Sequence, residues 1–338
     1  MAEGRFDNPI VAALAGVGDF FRKQELSNRL NDTDRIDGKT CLVTGANSGL
    51  GFALAVDLAR RGGRVIMACR RQIPEAGEKA MKLSGSKNIE MRYLDLSRID
   101  VIHSFCDELK KDNIQLDIAI LNAGVALPKS RKTESGMEEL FMVNYLSNVI
   151  LTTRLLQDGT IPNNRISNNR KNDPARIIFI SSDSHQGSSL VDYEEFGRYI
   201  EYGVSKGMEY YSYYKLVANT YFTELSGRLN KDKIDVAVNV ICPGPVNTNI
   251  VKEAPWFLRN MLKGIFYIIF KSPEKAAKAV IYMAVSDDYK GKTNEYLHMF
   301  NKKEMDPKVY IPEEGSKLWD KTYNLLNSID TKTVPLNI

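Results

Sequence analysis

Histidine is scarce in this chain: three occur in 338 residues, at His103, His185 and His298. They are scattered and lack the spacing of metal ligands, so the sequence offers no metal site. Cysteine is nearly as rare. Of the four, Cys41, Cys69 and Cys242 fall in or beside apolar strand-like runs, and Cys106 does not. That placement reads as reduced core residues in an intracellular protein and excludes a disulfide framework. No apolar run reaches the roughly 18–20 residues that span a bilayer. The stretch from Ile10 to Val17 is short, meets Asp19 soon after, and lacks the flank and cleavage pattern of a good signal peptide. Neither sign of charge dominates, with 46 Lys+Arg against 42 Asp+Glu and a net charge of +4. With no basic run or aromatic-interleaved stripe, nucleic acid is not an expected partner. Internal repeats and long low-complexity tracts are also missing; the Asn-rich stretch 163–172 reads as a solvated insertion.

What is present is alternation. Strand-like segments at 40–43, 64–69, 89–94, 116–121, 175–181 and 234–241 are interleaved with helical patterns at 52–59, 100–111, 136–157 and 206–229. This order predicts an α/β fold: one Rossmann-type, doubly wound parallel sheet with helices on both faces. The sheet begins only near Thr40, so residues 1–36 are expected to form an extension and 37–338 the domain. Residues 8–30, with Phe20 and Phe21, predict a short amphipathic helix packed on the body of the protein, with a membrane-surface anchor as the alternative.

Between the first strand and the first helix lies Thr44-Gly45-Ala46-Asn47-Ser48-Gly49-Leu50-Gly51. A strand, a glycine turn and a helix make a dinucleotide site, because glycines let backbone approach a pyrophosphate and the helix N-terminus presents free N–H groups. Gly45, Asn47, Ser48, Gly49, Leu50 and Gly51 are therefore candidate cofactor residues. NAD-selective sites carry an acid after the second strand, to bind the ribose hydroxyls. Here that strand ends Cys69-Arg70-Arg71. A guanidinium there suits a 2′-phosphate, so NADP(H) is favoured and NAD(H) stays open.

Hydride transfer to a carbonyl leaves an alkoxide that needs a proton. A tyrosine supplies it when a lysine ammonium one helical turn away draws the phenol pKa down from about 10. Two pairs have that spacing, Tyr211 with Lys215 and Tyr202 with Lys206. Gly203 and Gly207 weaken a helix around the second pair, so Tyr211 and Lys215 are preferred. Tyr210, Tyr213 and Tyr214 are expected to pack in the core. Ser182 follows the apolar run Ile177 to Ile180, at the strand edge where open parallel sheets bind ligands.

The Gly-x-x-x-Gly-x-Gly spacing with Thr44 in front resembles the short-chain dehydrogenase/reductase family. The resemblance runs from about Asp37 to Asn327 and is closest to the retinol dehydrogenase-like branch. It is carried further by Asp37-Gly38-Lys39-Thr40, Ala68-Cys69-Arg70-Arg71, Val143-Asn144-Tyr145-Leu146, Lys215-Leu216 with Asn219, Lys271 to Ala277, and Leu318-Trp319. It implies a catalytic tetrad of Asn144, Ser182, Tyr211 and Lys215, in which Asn144 positions a water and Ser182 holds the substrate carbonyl. It implies that Asp95, in Leu94-Asp95-Leu96-Ser97, contacts adenine, with Leu96 beside it; a plain helix N-cap is the alternative for Asp95, and Ser97 is the better cap candidate. Asn122, Ala123 and Gly124 would line the cofactor cleft. In Pro243-Gly244-Pro245-Val246-Asn247-Thr248, Val246 and Thr248 would hold the nicotinamide carboxamide, and the helix after Lys215 would lead to Pro243-Gly244. Residues of about 250–272 would cover the substrate, and their apolar content suggests a lipophilic substrate or contact with a membrane surface. Tyr145, Ser147, Asn148 and Tyr214 depart from that branch's pattern and are expected on the substrate side.

The expected function is an NADP(H)-dependent oxidoreductase that interconverts a carbonyl and an alcohol on a small apolar, retinoid-, steroid- or lipid-like substrate. Such a protein would be soluble or peripheral to a membrane, alone, as a homo-oligomer or in a larger complex. The alternative is a structural or regulatory subunit that retains the fold and the nucleotide.

Overall fold

The structure, a computed structural model, describes residues 24–165, 173–246, 272–330 and 332–338. Its elements alternate as expected: β1 (Thr40–Thr44), α1 (Gly49–Arg60), β2 (Arg64–Cys69), α2 (Glu75–Ser84), β3 (Ile89–Tyr93), α3 (Ile99–Lys111) and β4 (Ile118–Leu121). A helical run follows, with α4 (Glu139–Phe141), a π-helical turn (Met142–Leu146) and α5 (Ser147–Gln157). Then come β5 (Ala175–Ile180), α6 (Gly207–Lys231), β6 (Val236–Cys242), α7 (Pro273–Val285), β7 (Tyr296–His298), β8 (Asn301–Lys302) and α8 (Pro312–Ile329).

The described strands form one sheet of order β3-β2-β1-β4-β5-β6-β7-β8. Every pairing is parallel except β7 with β8. β5 and β6 are buried at every residue, as strands must be when helices cover both faces. On one face α1, α2 and α7 pack over Val43, Met67, Ile120 and Ile178. On the other, α3, α5, α6 and α8 pack over Leu42, Ala119, Ile177 and Phe179. The strand order reverses between β1 and β4, so the crevice at their C-terminal ends is where a ligand belongs.

Three expectations need correction. Residues 1–23 lie outside the described residues, and 24–30 form turns rather than the end of a helix. Their N–H groups are taken by other partners: Leu26 donates to the Phe300 carbonyl and Glu25 to Asn301 Oδ1. In the Asn-rich stretch, 166–172 lie outside the described residues, but Asn163 is buried and Asn164 pairs with Asp235. Ser97 does not cap α3. The cap position is Arg98, without a side-chain bond, and the Ser97 N–H and hydroxyl both turn back onto Asp95 Oδ1. Among the described residues no helix is long and apolar enough to cross a membrane.

Candidate active site

The glycine loop is built around Thr44. Its hydroxyl accepts the N–H groups of Asn122 and Ala123 at 3.0 and 2.9 Å, while Asn122 Nδ2 donates to the Thr44 carbonyl at 2.8 Å. These bonds lock the ends of β1 and β4 together and leave the loop above them open. Gly45 and Gly49 have φ of +65° and +56°, where a side chain is strained. A Cβ on Gly51 would stand 2.4 Å from the Gly45 carbonyl oxygen, so the helix can approach the loop only without one. The cap residue of α1, Ser48, makes no side-chain bond, and the first turn holds no acid. The free N–H groups there suit an anion.

A cleft of about 1320 Å³ runs along the C-terminal edge of the sheet. Gly45, Asn47, Ser48, Gly49, Leu50, Gly51, Arg70, Asp95, Leu96, Asn122, Ala123 and Gly124 line it from the glycine side. Ser182, Tyr211, Lys215, Pro243, Gly244 and Val246 line it from the other side. Thr248 and the segment 250–271 lie outside the described residues. Arg70 is partly exposed, with its guanidinium 3.9 Å from the Asp95 carboxylate. Arg71, the second arginine at the end of β2, joins it at that end of the cleft, as do Gln72 and Lys79, which the motifs do not mark. The cation at Lys79 could have been found from its place one α2 turn past Glu75.

At the catalytic end, α6 brings Tyr211 and Lys215 onto one face. Lys215 is buried; its Nζ donates to the Ile180 carbonyl at 2.8 Å, 4.9 Å above the Phe179 ring and 5.7 Å from the Tyr211 ring centroid. Burial draws its pKa down to about 8. The phenol runs the other way from the expectation. Burial, helped by the nearby Cys242 thiol, pushes Tyr211 up to about 12, against the opposing pull of the Ser182 hydroxyl. In this pocket desolvation dominates, so Tyr211 holds its proton at neutral pH. Ser182 stands in extended backbone just past β5, and its Oγ accepts the Ser184 N–H at 3.3 Å, which leaves its own proton free to donate.

Asn144 is fully buried behind the cleft wall rather than in it. It lies within the π-helical turn, a distortion frequent at functional sites. Its amide clamps Val125, accepting from the N–H and donating to the carbonyl, both at 2.8 Å. That side chain is committed to the loop after β4. Gly124 is the cleft-lining residue beside it, since a Cβ there would stand 3.1 Å from Asn144 Oδ1 and 3.8 Å from Lys215 Nζ.

The competing tyrosine is occupied elsewhere. Tyr202 donates to the buried carboxylate of Glu138 at 2.9 Å and stacks on Tyr210. Of the departures from the branch's pattern, Tyr214 packs in the core as expected of it, and Tyr145, Ser147 and Asn148 are not on the cleft side where they were expected. Tyr145, Ser147, Asn148 and Tyr214 are buried, and none lines the cleft. Tyr145 reaches away to Thr322 on α8, and Tyr214 packs against Phe141 and Tyr213. Their places beside Asn144 and Lys215 put them near the site in sequence, but their side chains are buried in the core. Beyond Tyr211 the described lining of the cleft continues with Val125, Ala126, Leu127, Pro128, Val204 and Met208, with Arg131 as a cation there. Arg131 pairs with Glu139 at 2.7 Å.

Comparison with known proteins agrees with this architecture. The sequence model of the family described as short chain dehydrogenase matches residues 39–256. Human retinol dehydrogenase 14 is 33% identical over 310 residues, covering 86% of this chain and 87% of that protein. An uncharacterized protein from Mycobacterium paratuberculosis superposes with a TM-score of 0.66 at 23% identity, covering 88% of this chain and 96% of the other. The angucycline C-6 ketoreductase LanV, solved with bound NADP, gives a TM-score of 0.59 at 20% identity over 78% of this chain and 95% of that one. The glycine loop, the parallel sheet and these matches converge: the chain belongs to the short-chain dehydrogenase/reductase family, as an oxidoreductase related to the retinol dehydrogenases.

Proposed function

We propose that the protein is an NADP(H)-dependent oxidoreductase that interconverts an apolar alcohol and its carbonyl, with Tyr211 as the general acid and base. The observation that carries this reading is the convergence of Ser182, Tyr211 and Lys215 on one cleft with the glycine loop and Arg70. The cradle fits a dinucleotide, since a single methyl on Gly51 would collide with the loop that has to approach it. Gly45 to Gly51 would hold the pyrophosphate, Asp95 and Leu96 the adenine side, and Asn122 to Gly124 the wall between. Arg70 would hold a 2′-phosphate, and Pro243, Gly244, Val246 and Thr248 the far end. When bound, that cofactor supplies or takes up the hydride.

The chain's own groups manage the oxygen. In reduction the Tyr211 phenol gives its proton to the carbonyl oxygen as negative charge grows there. The Ser182 hydroxyl donates to the same oxygen. The Lys215 ammonium, fixed by the Ile180 carbonyl, stabilises the phenolate left behind. Asn144 keeps Val125 in place and with it the loop that separates cofactor from substrate. The apolar lining at Leu127, Val204 and Met208 favours a retinoid-, steroid- or lipid-like substrate. The kinship with retinol dehydrogenase 14 supports the same class.

The test is NADPH oxidation with a panel of all-trans-retinal, a long-chain aliphatic aldehyde and a steroid ketone. Turnover of at least one is expected. Tyr211→Phe should lower it by about a hundredfold or more while NADPH still binds. Binding of NADPH without turnover of any carbonyl or alcohol would replace this reading with that of a non-catalytic subunit.

A further inference from the structure

We propose that His185 is a positioning residue for Ser182: a neutral imidazole whose Nδ1–H holds the Ser182 carbonyl and whose Nε2 ties that turn to Asp306. The proposal rests on the reading of Ser182 as the donor to the substrate oxygen. His185 is fully buried. Its Nδ1 lies 2.7 Å from the Ser182 carbonyl oxygen, and its Nε2 lies 3.2 Å from the Asp306 backbone nitrogen. A carbonyl only accepts and a backbone N–H only donates. Nδ1 therefore carries the proton and Nε2 the lone pair, so two main-chain groups from separate parts of the chain dictate the tautomer.

Ser182 needs that support. It is the second residue past the end of β5; Ser181 N–H still reaches the Ile241 carbonyl of β6 and Asp183 N–H the Cys242 Sγ, while the Ser182 carbonyl itself is held, among the described residues, only from within the turn, by the His185 backbone N–H at 3.2 Å and the imidazole. The turn that follows is laced to the 304–306 corner by Gly187 N–H to Asp306 Oδ2 at 3.0 Å and Gln186 Nε2 to the Glu304 carbonyl at 3.1 Å. His185 is the side chain in this lacing that reaches back to Ser182 itself. Rotating the Ser182 carbonyl away from Nδ1 would swing the residue about its own Cα and move the hydroxyl relative to Tyr211.

The charged neighbours leave the ring neutral. Asp183 is paired with Lys303 at 2.7 Å, accepts from Tyr296 at 3.2 Å and has His298 Nδ1 at 3.9 Å. Asp306 is paired with Lys308 at 3.3 Å. Tyr296 also sets its ring edge-on to the imidazole at 5.7 Å. Each carboxylate already has a lysine. A proton on Nε2 would face the Asp306 N–H, and burial holds the His185 pKa below its usual 6.5. The unfolded chain thus takes up this proton first. Stability from the site is complete above about 6.5 and is lost as pH falls toward the lower folded value.

The test has a substrate-free arm and a kinetic one. With three histidines in the chain, [15N]histidine labelling resolves each ring. One ring is expected as the neutral Nδ1–H tautomer and to remain so below pH 6.5, and its signals should vanish in His185→Asn. An Nε2–H tautomer or a charged ring at pH 7 overturns the proposal. His185→Asn keeps an N–H donor at the Nδ1 position, whereas His185→Gln offers its amide only at Nε2. With NADPH and the best carbonyl of the panel, Asn should hold kcat within about threefold. Gln and Ala should lose tenfold or more, with the KM for NADPH unmoved. Equal kcat per folded molecule in Asn and Gln overturns the proposal, and that comparison stands even if the alanine variant fails to fold. Ser182→Ala separates the two readings. Native turnover in that variant removes the role of Ser182 itself. Loss there with full activity in His185→Gln removes only the positioning role.

Discussion

Lys215 shows how function and stability oppose each other at a single side chain. The residue is 4% exposed, and its ammonium sits over the Phe179 ring. Below about pH 8 both folded and unfolded chains carry the proton, and the burial cost is complete. From there toward 10.5 the folded chain loses its proton first, so the cost is relieved as pH rises. A displacement of that size is on the order of 3 kcal/mol. Lys215→Met should therefore raise the unfolding free energy at pH 7, by about 1–3 kcal/mol in urea titration, while turnover disappears. A loss of stability instead would mean that the bond to Ile180 outweighs the desolvation. Tyr202→Phe should do the reverse. It leaves kcat unchanged but takes a donor from the buried Glu138 carboxylate, which should lower stability by about 1–2 kcal/mol. Arg70→Ala should weaken NADPH binding by about tenfold or more and barely alter NADH binding, as read by fluorescence titration of both. Equal losses would assign Arg70 to the shared part of the two cofactors.

At the scale of elements, the legible parts were local. The glycine loop, the end of β2 and the Tyr211–Lys215 pair each lie within about two helical turns or one strand-to-helix join, so spacing alone brings their residues together. The π-helical turn was not legible, because α and π windings present the same apolar pattern over a few residues. It is that turn which buries Asn144 against Val125 and aims Tyr145 at α8. The strand β7 was missed because three residues carry no usable period. The Tyr145–Thr322 contact yields a prediction of its own. Thr322 Oγ1 donates to the Leu318 carbonyl at 2.6 Å, so the Tyr145 hydroxyl must be the donor in its 2.5 Å bond to that oxygen. Thr322→Val should strand this hydroxyl and lower stability by about 1–3 kcal/mol. Adding Tyr145→Phe should restore much of it, and a double-mutant cycle by chemical denaturation checks the coupling. Purely additive losses would show that the bond contributes nothing net.

Across the whole molecule, the C-terminal stretch closes one face of the sheet. Trp319 stacks on Tyr221 of α6, Tyr323 shares a hydrogen-bond chain with Tyr221 and Thr153, and Asp330 meets His103 of α3. Beyond α8, Gln157 donates to the Val334 carbonyl and Arg228 to that of Ile338. His103 also receives the Arg154 guanidinium, itself paired with Asp107 and Asp158, so this face is sealed by charge at its rim and by aromatic rings at its centre.

That closure has a consequence for how the protein is made. A ribosome delivers the chain from its N-terminus at about 5–20 residues per second. Every strand and helix that frames the glycine loop has left it long before Leu318, Trp319 and Tyr323 emerge. Tyr145 must wait for a partner 177 positions downstream. Through that interval the nascent protein carries a finished-looking nucleotide half with the apolar backs of α5 and α6 bare to water. Until Leu318, Trp319 and Tyr323 emerge, the apolar face they cover therefore stays exposed, and that interval, rather than the motif that identifies the family, is when the new chain is most prone to association.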